Sequence, residues 1–557
     1  MINCRRDDVD LPGIVIFFMI FMVLFIGDYG IAQYGSYFTH VPSEVAGQTG
    51  IALWIKSPIE SRYDEGAPVA IYLTGGFKGE GIGDKEAGLF EKGFIEISFN
   101  FQGNGVGDKQ SGGGPYDHRG FASLRAAREV IRFALGMVTD IRGETLSDIV
   151  RPLVPLHTNV GLIGYSFGGS TNICIAGVHG HEIGGLAWIL NWESPVGDGM
   201  PQAEAGAKQD GRLRPLNQET NPAYDPDTGE WDLSSLAYDS KIRIPILDDV
   251  DIHVTGGLFF DFNGDGIVNP GSDFIPYPLV FEIGNGYKAH YSVRLRRRAE
   301  EENLFPDPGP AHIPTLEETE TFWAVRNGEY WIDSTLQKIP NLMFMVVGSE
   351  IDHVQRALDH PHVLLQYEAF RQGGARFVRL NPDRTYVEHI MGSSAPSAVD
   401  NNGYEHFAHI SIRTAIEPGS YDGELGRDVI VPAGACELAD RTQTDHLEPQ
   451  LNALISSVGR LSKRPDHFFL HQNAPNPFNP MTAIGYQLSA FGFMELSIIN
   501  ILGQKVRTLV SDEKLPGRYS VVWDGKDDFG NRVVSGVYHY RLTTGDQVEI
   551  KRMMLLK

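Results

Sequence analysis

The chain has 557 residues, and its 42% hydrophobic and 10% aromatic content is that of a globular protein with two or three domains. Its 47 Lys and Arg against 71 Asp and Glu leave a formal net charge of −24, which argues against a nucleic-acid partner. Three cysteines, Cys4, Cys174 and Cys436, are too few for a disulfide framework.

The first 32 residues have the pattern of a secretory signal peptide. Two arginines precede the apolar run 14–27, which has the length of a signal-peptide core and is short for a membrane span. Gly30 and Ala32 suit the positions before a cleavage site, so we expect the mature chain to begin near Gln33 without a stable membrane span. An uncleaved anchor is the alternative.

The next segment alternates short apolar strands with glycine-rich loops and helices. In chain order it contains the strand patterns IALWIKSPI, VAIYLTGGF and FIEISFNFQGNG, the helical pattern GFASLRAAREVIRFALGMV, and the strands NVGLIGYS and LAWILNW. This order is typical of a mostly parallel sheet with crossover helices. We therefore predict an α/β domain.

The pentapeptide GYSFG, residues 164–168, lies between one of these strands and a helix rich in small residues. A Gly-x-Ser-x-Gly at such a junction is the nucleophile elbow, in which glycines let strand and helix approach while the serine occupies the apex. The N-terminus of the helix favours negative charge at that point. Ser166 is thus predicted to be a nucleophile, and a structural turn in a degenerate site is the alternative.

With this order of strand, elbow and helix, residues 52–418 resemble the α/β-hydrolase family. The resemblance implies an oxyanion donor after the third strand, an acid after a later strand and a histidine after the last one. In IYLTGGF, the backbone N–H groups of Gly76 and Phe77 fit the oxyanion role, together with the N–H of Phe167.

A long insertion at about residues 197–340 predicts a cap over the site. Its aromatic residues could line a substrate cleft, but core packing is the expected duty for most of them. These aromatic residues are Tyr224, Trp231, Trp323 and Trp331.

Within the cap, the segment FDFNGDGIVNPGSDF resembles the calcium loops of dockerin and EF-hand repeats. The predicted ligands, within residues 261–273, are Asp261, Asn263, Asp265, Ile267 and Asp273. The pattern departs from those loops at position twelve, which is Ser272, with the acid one residue later. We expect any calcium here to be structural, and a cluster of Asn-Gly and Asp-Gly turns is the alternative.

Asp352 is the predicted acid of the triad, because it follows the apolar run 343–347 at the position where the resemblance implies an aspartate. Glu350 has a weaker claim, and Glu193, after the preceding strand, is a further alternative. His353, beside the acid, is expected to be structural or to contact the substrate.

The predicted base is His406, which lies near the start of a helical pattern in NNGYEHFAHISIRTAI. His389 and His409 remain open alternatives, because the chain lacks the Gly-His pair that many members of the family have.

The last ninety or so residues contain short strands punctuated by Pro, Asn and Gly, which predicts a β-sandwich. Four blocks in them resemble the C-terminal sorting domain of type IX secretion cargo, which is related to the immunoglobulin-like domain of flagellar hook-capping proteins. The blocks are QNAPNPFNP (472–480), NILGQKV (500–506), WDGKDDFGN (523–531) and SGVYHYRL (535–542). The resemblance implies a Gram-negative bacterium, Sec export and passage across the outer membrane by the type IX machinery. An accessory sandwich that binds glycans or acts as a spacer is the alternative.

The predicted domains are a signal peptide (1–32), an α/β-hydrolase domain (33–418), a linker (419–466) and the C-terminal domain (467–557). The predicted function is that of a secreted serine hydrolase that acts on carboxylic esters through an acyl-enzyme, without an organic cofactor. A prolyl-oligopeptidase-like peptidase and a surface binding protein on a catalytically dead scaffold are the alternatives.

Overall fold

The structure of the chain is a computed structural model. The described residues are 34–84, 86–197, 205–207, 219–225, 231–246, 249–269, 271–283, 286–348, 360–392, 426–445, 468–473, 476–479, 481–488, 492–514, 517–545 and 547–556. The predicted signal peptide therefore lies outside the described residues.

The strands and helices are numbered in chain order. The strands up to residue 380 are β1 (Tyr34–Ser43), β2 (Gly47–Pro58), β3 (Ala67–Leu73), β4 (Ile95–Phe99), β5 (Pro155–Tyr165), β6 (Leu186–Trp192), β7 (Ala205–Ala207), β8 (Glu219–Thr220), β9 (Leu236–Ile246), β10 (Asp249–Phe260), β11 (Ile275–Pro276), β12 (Leu279–Ile283), β13 (Gly286–His290), β14 (Met343–Val347) and β15 (Phe377–Leu380). The helices are α1 (Phe121–Ala134), α2 (Leu146–Ile149), α3 (Phe167–His179), α4 (Val293–Glu301), α5 (Leu316–Ala324), α6 (Ile332–Lys338), α7 (Pro361–Gln372), α8 (Arg384–Met391) and α9 (Arg427–Thr444). Among these helices of the described chain, none is both long and apolar enough to cross a membrane.

Eight strands form the central sheet, in the order β1-β2-β4-β3-β5-β6-β14-β15. β2 is antiparallel to both of its neighbours, whereas β4, β3, β5, β6, β14 and β15 are parallel. Every residue of β3, β4 and β14 is buried, as expected for a parallel sheet that is covered on both faces. This strand order is that of the α/β-hydrolase fold, and the predicted fold class is confirmed.

Helices cover both faces of this sheet. On one face α1, α3, α6 and α7 bury an apolar core that includes Ile131, Cys174 and Phe370. On the other face α8 and α9 pack over Tyr165 and Trp188. Burial raises the pKa of the Cys174 thiol, so the thiol stays uncharged. Cys174 therefore packs as a small apolar core residue.

The α9 helix lies within the segment 419–466 that was predicted as a linker. Its residues from Ile430 to Ala439 are almost all buried against the sheet. A Cβ atom on Gly434 would lie 2.4 Å from Leu190 Cδ1, so the helix approaches the strands closely. The hydrolase domain therefore extends past the predicted boundary at 418. Pro432 and Gly434 weaken the helical pattern in the sequence, and packing on the sheet compensates for them.

The insertion between β6 and β14 has its own apolar core. It contains the antiparallel pairs β9–β10 and β12–β13, together with α4 and α5. Trp231 packs against that core, and the buried Tyr224 contacts its ring with centroids 4.8 Å apart. Trp323 and Trp331 are 0% exposed. These four aromatic residues therefore pack in cores.

The C-terminal segment forms two antiparallel sheets. Its strands are β16 (Phe469–Leu470), β17 (Thr482–Leu488), β18 (Gly492–Asn500), β19 (Lys505–Lys514), β20 (Gly517–Trp523), β21 (Gly536–Thr544) and β22 (Gln547–Leu555). The sheet orders are β16-β17-β20 and β19-β18-β21-β22. One apolar cluster, with Trp523 and Tyr540 fully buried, joins residues of both sheets. This is the β-sandwich that the alternating pattern predicted.

A carboxyl group is buried inside the central sheet. Glu96 on β4 is 2% exposed and accepts hydrogen bonds from the Tyr72 hydroxyl, at 2.7 Å, and from the backbone N–H of Leu89. Burial raises the pKa of Glu96 to about 7, although the bond from Tyr72 lowers it. Because the folded state favours the protonated form, this stabilisation is complete below the unfolded pKa and is lost as the pH rises through 7.

We expect the stability of the wild type relative to Glu96→Gln to fall by about 2–3 kcal/mol between pH 5 and pH 8. Urea unfolding followed by near-ultraviolet circular dichroism measures this difference. Tyr72→Phe removes the hydroxyl that lowers the pKa of Glu96, so it should steepen the fall. Parallel pH profiles for wild type and Glu96→Gln would contradict the assignment.

Candidate active site

Ser166 occupies the turn between β5 and α3. Its backbone angles are φ 48° and ψ −125°. Residues other than glycine rarely adopt this conformation, which costs about 1–3 kcal/mol. The Ser166 N–H donates to the carbonyl of Trp192 at 3.0 Å, and the Ser166 carbonyl accepts from the N–H of Gly169 at 2.9 Å. The neighbouring strand and the first turn of the helix therefore hold the strained residue in place.

The glycines around Ser166 allow the segments of the turn to touch. A Cβ atom on Gly164 would lie 2.4 Å from Gly169 Cα, and one on Gly168 would lie 2.3 Å from the Leu73 carbonyl oxygen. A Cβ atom on Gly169 would lie 1.9 Å from Ser194 Oγ. Larger residues at these positions would force helix α3 away from β5, from the end of β3 or from the loop after β6.

The loop after β3 lies directly against the serine. A Cβ atom on Gly75 would lie 3.3 Å from Ser166 Cβ. Gly76 has φ +61°, a conformation that favours glycine, with no atom near the position of its absent side chain. The structure thus brings the predicted oxyanion residues Gly76, Phe77 and Phe167 to the same edge of the sheet as Ser166. Their role as donors stays a prediction.

Aromatic residues of the cap pack on this loop. The Phe77 ring lies 4.5 Å from the ring of Phe167 and 5.3 Å from that of Phe281, measured between centroids. Phe322 and Trp323 lie next to the same ring, each at 6.4 Å. Because Phe77 is only 4% exposed, this cluster is a filled core that fixes the loop.

Arg326, after α5, ties the cap to a second loop at this edge. Its guanidinium donates to the backbone carbonyls of His118, Asp117 and Phe322, at 2.7, 2.6 and 2.7 Å. Burial lowers the pKa of Arg326 to about 10. No motif in the sequence indicated Arg326, because its partners are main-chain oxygens, and those of Asp117 and His118 are distant along the chain.

The other members of the predicted triad fall in segments that are not described. Asp352 and its neighbours Glu350 and His353 lie within 349–359, and His406 and His409 lie within 393–425, outside the described residues. The first of these segments follows β14, which pairs in parallel with β6.

Two of the alternatives are described. His389 is exposed on α8, which packs against α9. Glu193 follows β6 directly and has φ 49°, one residue after the carbonyl that accepts from the Ser166 N–H. Among the described residues, none hydrogen-bonds to the Ser166 hydroxyl.

The calcium-like loop is closed by hydrogen bonds from its own backbone. Asp261 accepts from the N–H groups of Gly264 and Gly266, both at 2.7 Å. Asp265 accepts from Ile267 N–H at 2.9 Å, and the buried Asp273 accepts from Asn269 N–H at 2.8 Å. Within the described part of the chain, no group of three or more His, Cys, Asp or Glu residues is placed to hold a metal ion. Calcium binding at Asp261, Asn263, Asp265, Ile267 and Asp273 stays a prediction.

An eight-stranded sheet in this order, with a strained serine between its fifth strand and the following helix, defines an α/β-hydrolase fold. Residues 482–547 match the FlgD Ig-like domain family. Among curated proteins, none matches the chain.

The chain is similar to several solved structures. Carboxyl esterase 2 from the fungus Tuber melanosporum is 11% identical over 63% of this chain and 77% of that one, with a TM-score of 0.31. Brefeldin A esterase, a bacterial homologue of human hormone-sensitive lipase, is 11% identical over 76% and 81%, with a TM-score of 0.34. PorZ, a surface component of the type-IX secretion system of Porphyromonas gingivalis, is 22% identical over 16% and 12%, with a TM-score of 0.13. At TM-scores this low, the fold assignment rests on the strand order.

We expect Gly168→Ala to destabilise the domain by about 2–3 kcal/mol, because the new methyl group would overlap the carbonyls of Leu73 and Thr74. Gly76→Ala should cost only about 1 kcal/mol, since its penalty comes from the positive φ alone. Chemical denaturation measures both values. Gly374→Ala is the control for Gly76→Ala, because Gly374 also has a positive φ, +80°, and no atom near its absent side chain. It should lose a similar amount of stability. Equal losses at Gly168 and Gly76 would contradict this account.

Proposed function

We propose that the protein is a serine hydrolase that cleaves carboxylic esters through an acyl-enzyme on Ser166. The observation that carries the proposal is the backbone of Ser166, held at φ 48° and ψ −125° at the carboxyl edge of an α/β-hydrolase sheet. A serine in this geometry presents its hydroxyl at the apex of the turn, where a substrate carbonyl can approach.

In the proposed reaction, His406 removes the proton from the Ser166 hydroxyl as the oxygen attacks the ester carbonyl. Asp352 orients the imidazole and stabilises its positive charge. The backbone N–H groups of Gly76, Phe77 and Phe167 hold the negative oxygen of the tetrahedral intermediate. The His406 imidazolium then donates this proton to the departing alkoxide, so the alcohol leaves and the acyl-enzyme remains. Neutral His406 next removes a proton from the water that attacks the acyl carbonyl, and it returns the proton to Ser166 as the carboxylic acid leaves.

The α3 helix supports this chemistry from behind. Its first residue follows Ser166, so the positive end of the helix dipole faces the site of developing negative charge. At the opposite end, Lys338 Nζ donates to the carbonyl of Val178 at 3.0 Å and to that of Gly177. This ammonium group satisfies carbonyls that the end of the helix leaves without intrahelical partners.

We also propose that the enzyme acts outside the cell. The proposal rests on the signal-peptide pattern of residues 1–32 and on the four C-terminal blocks that resemble type IX sorting domains. The match of residues 482–547 to the FlgD Ig-like domain family is consistent with that resemblance. A structural calcium ion in the 261–273 loop would suit an extracellular protein.

A fluorophosphonate probe should label the wild type and should fail to label Ser166→Ala, because only a serine activated by a base attacks the probe. Turnover of p-nitrophenyl acyl esters should fall by at least about 10³-fold in the same variant. Ser147→Ala, at the partly exposed Ser147 on α2, is the control and should keep both activities. A folded wild type that is not labelled would refute the enzyme and favour a binding protein on a dead scaffold. Faster cleavage of aminoacyl p-nitroanilides than of esters would favour a peptidase.

His406→Ala and Asp352→Asn should each lower kcat for the ester by about 10³–10⁴-fold, because each removes part of the proton-transfer system. His389→Ala and Glu193→Gln are the matched changes at the alternative residues and should leave kcat close to that of the wild type. Steady-state kinetics of the four variants decides the assignment. A loss of turnover in His389→Ala with retention in His406→Ala would contradict the proposed base.

A further inference from the structure

A buried arginine lies beneath the loop that carries the proposed oxyanion donors. Arg119 is 2% exposed, and its Nη2 atom donates to the Thr74 carbonyl at 3.1 Å and to the Thr74 hydroxyl at 3.2 Å. The Tyr116 side chain also interacts with the guanidinium, whereas no carboxylate of the described residues lies within ion-pair distance of it. The guanidinium stacks over the Phe101 ring, 4.3 Å from its centroid.

Thr74 connects this arginine to the nucleophile. It lies between the end of β3 and Gly75, whose absent side chain would reach within 3.3 Å of Ser166 Cβ. The Thr74 carbonyl oxygen also faces the elbow, since a Cβ atom on Gly168 would lie 2.7 Å from it. A bond from Arg119 to this carbonyl therefore acts on the loop after β3 where it meets the elbow.

The backbone around Arg119 is held in an unusual conformation. His118 and Arg119 have φ values of 50° and 68°, which residues with side chains adopt at a cost. Arg326 fixes this segment by donating to the carbonyls of Asp117 and His118. The Asp117 carboxylate caps α1 through the N–H of Ala122 at 2.7 Å. The segment is thus held from both sides with the Arg119 side chain beneath the loop.

An arginine without an ion pair is costly to bury. Burial lowers the pKa of Arg119, and the neighbouring Tyr116 and Asp117 oppose that effect. An arginine nevertheless stays protonated in proteins, so the buried charge is retained. A fixed charge in a water-excluded environment acts over several ångströms and is most effective where charge develops in a reaction.

We propose that Arg119 is a positioning residue for the hydrolysis, which holds the oxyanion loop through Thr74 and supplies positive charge behind the oxyanion hole. The inference rests on the proposed function. Arg119 does not touch the substrate. Its effect is therefore on the stability of the negatively charged tetrahedral state and not on binding of the neutral ester.

The test compares Arg119→Met and Arg119→Lys in the full chain, with p-nitrophenyl acetate as substrate and a trifluoromethyl ketone as inhibitor. The ketone adds to Ser166 and forms an anionic tetrahedral adduct. We expect Arg119→Met to lower kcat about tenfold or more, with KM within about twofold, and to raise the inhibition constant of the ketone by the same factor as kcat/KM falls. Arg119→Lys should recover part of both losses because it restores the charge.

Arg128→Met is the matched control, because it removes a mostly buried guanidinium from α1 that pairs with Glu129 and does not contact Thr74. It should leave kcat and the inhibition constant unchanged. If Arg119→Met fails to fold, Arg119→Gln keeps N–H donors for Thr74 without the charge and should show the same loss.

A folded Arg119→Met or Arg119→Gln variant with the kcat and inhibition constant of the wild type would overturn the role of Arg119 and would leave the proposed function intact. An Arg119→Lys variant no better than Arg119→Met would overturn the contribution of the charge. A wild type that neither turns over the ester nor reacts with a fluorophosphonate would overturn the proposed function, and the role of Arg119 with it.

Discussion

The conformation of Ser166 depends on four segments that meet with almost no side chain between them. The end of β5, the start of α3, the residues after β3 and the loop after β6 approach so closely that a methyl group on Gly164, Gly168 or Gly169 would overlap a neighbour. Strain of about 1–3 kcal/mol at one residue is small beside the burial of both sheet faces. The packed sheet therefore maintains a backbone that a free peptide would not adopt, and it places Ser166 at the edge where the loop after β3 lies against it.

The cap contributes to the same edge. Phe281 and Phe322 pack around Phe77, and Arg326 binds the carbonyls of Asp117 and His118. These contacts are buried, and they join the insertion to two loops of the central sheet near Ser166. The cap is thus a structural part of the proposed site at these contacts, because the Phe77 ring of the loop after β3 lies inside a core that the cap provides.

Much of the fold follows from local patterns. The strands before and after the elbow in the chain are short apolar runs, and the elbow itself is a five-residue pattern. The α9 helix was not predictable in this way, since Pro432 and Gly434 interrupt its helical pattern. Its small residues stabilise the helix only because they allow close packing on the sheet. Arg326 and Arg119 were also missed, because their partners are backbone carbonyls and the Thr74 hydroxyl, which carry no sequence signal.

The sequence by itself determined the α/β order, the position of Ser166 in a strand-to-helix turn and the β-sandwich at the C-terminus, because each depends on residues that are close together along the chain. Only the tertiary structure decided the strained backbone of Ser166, the packing of the cap on Phe77 and the place of Arg119 beneath Thr74. These depend on long-range contacts, such as that between Phe77 and Phe281, in which burial and close approach select one arrangement from many that the same local patterns allow.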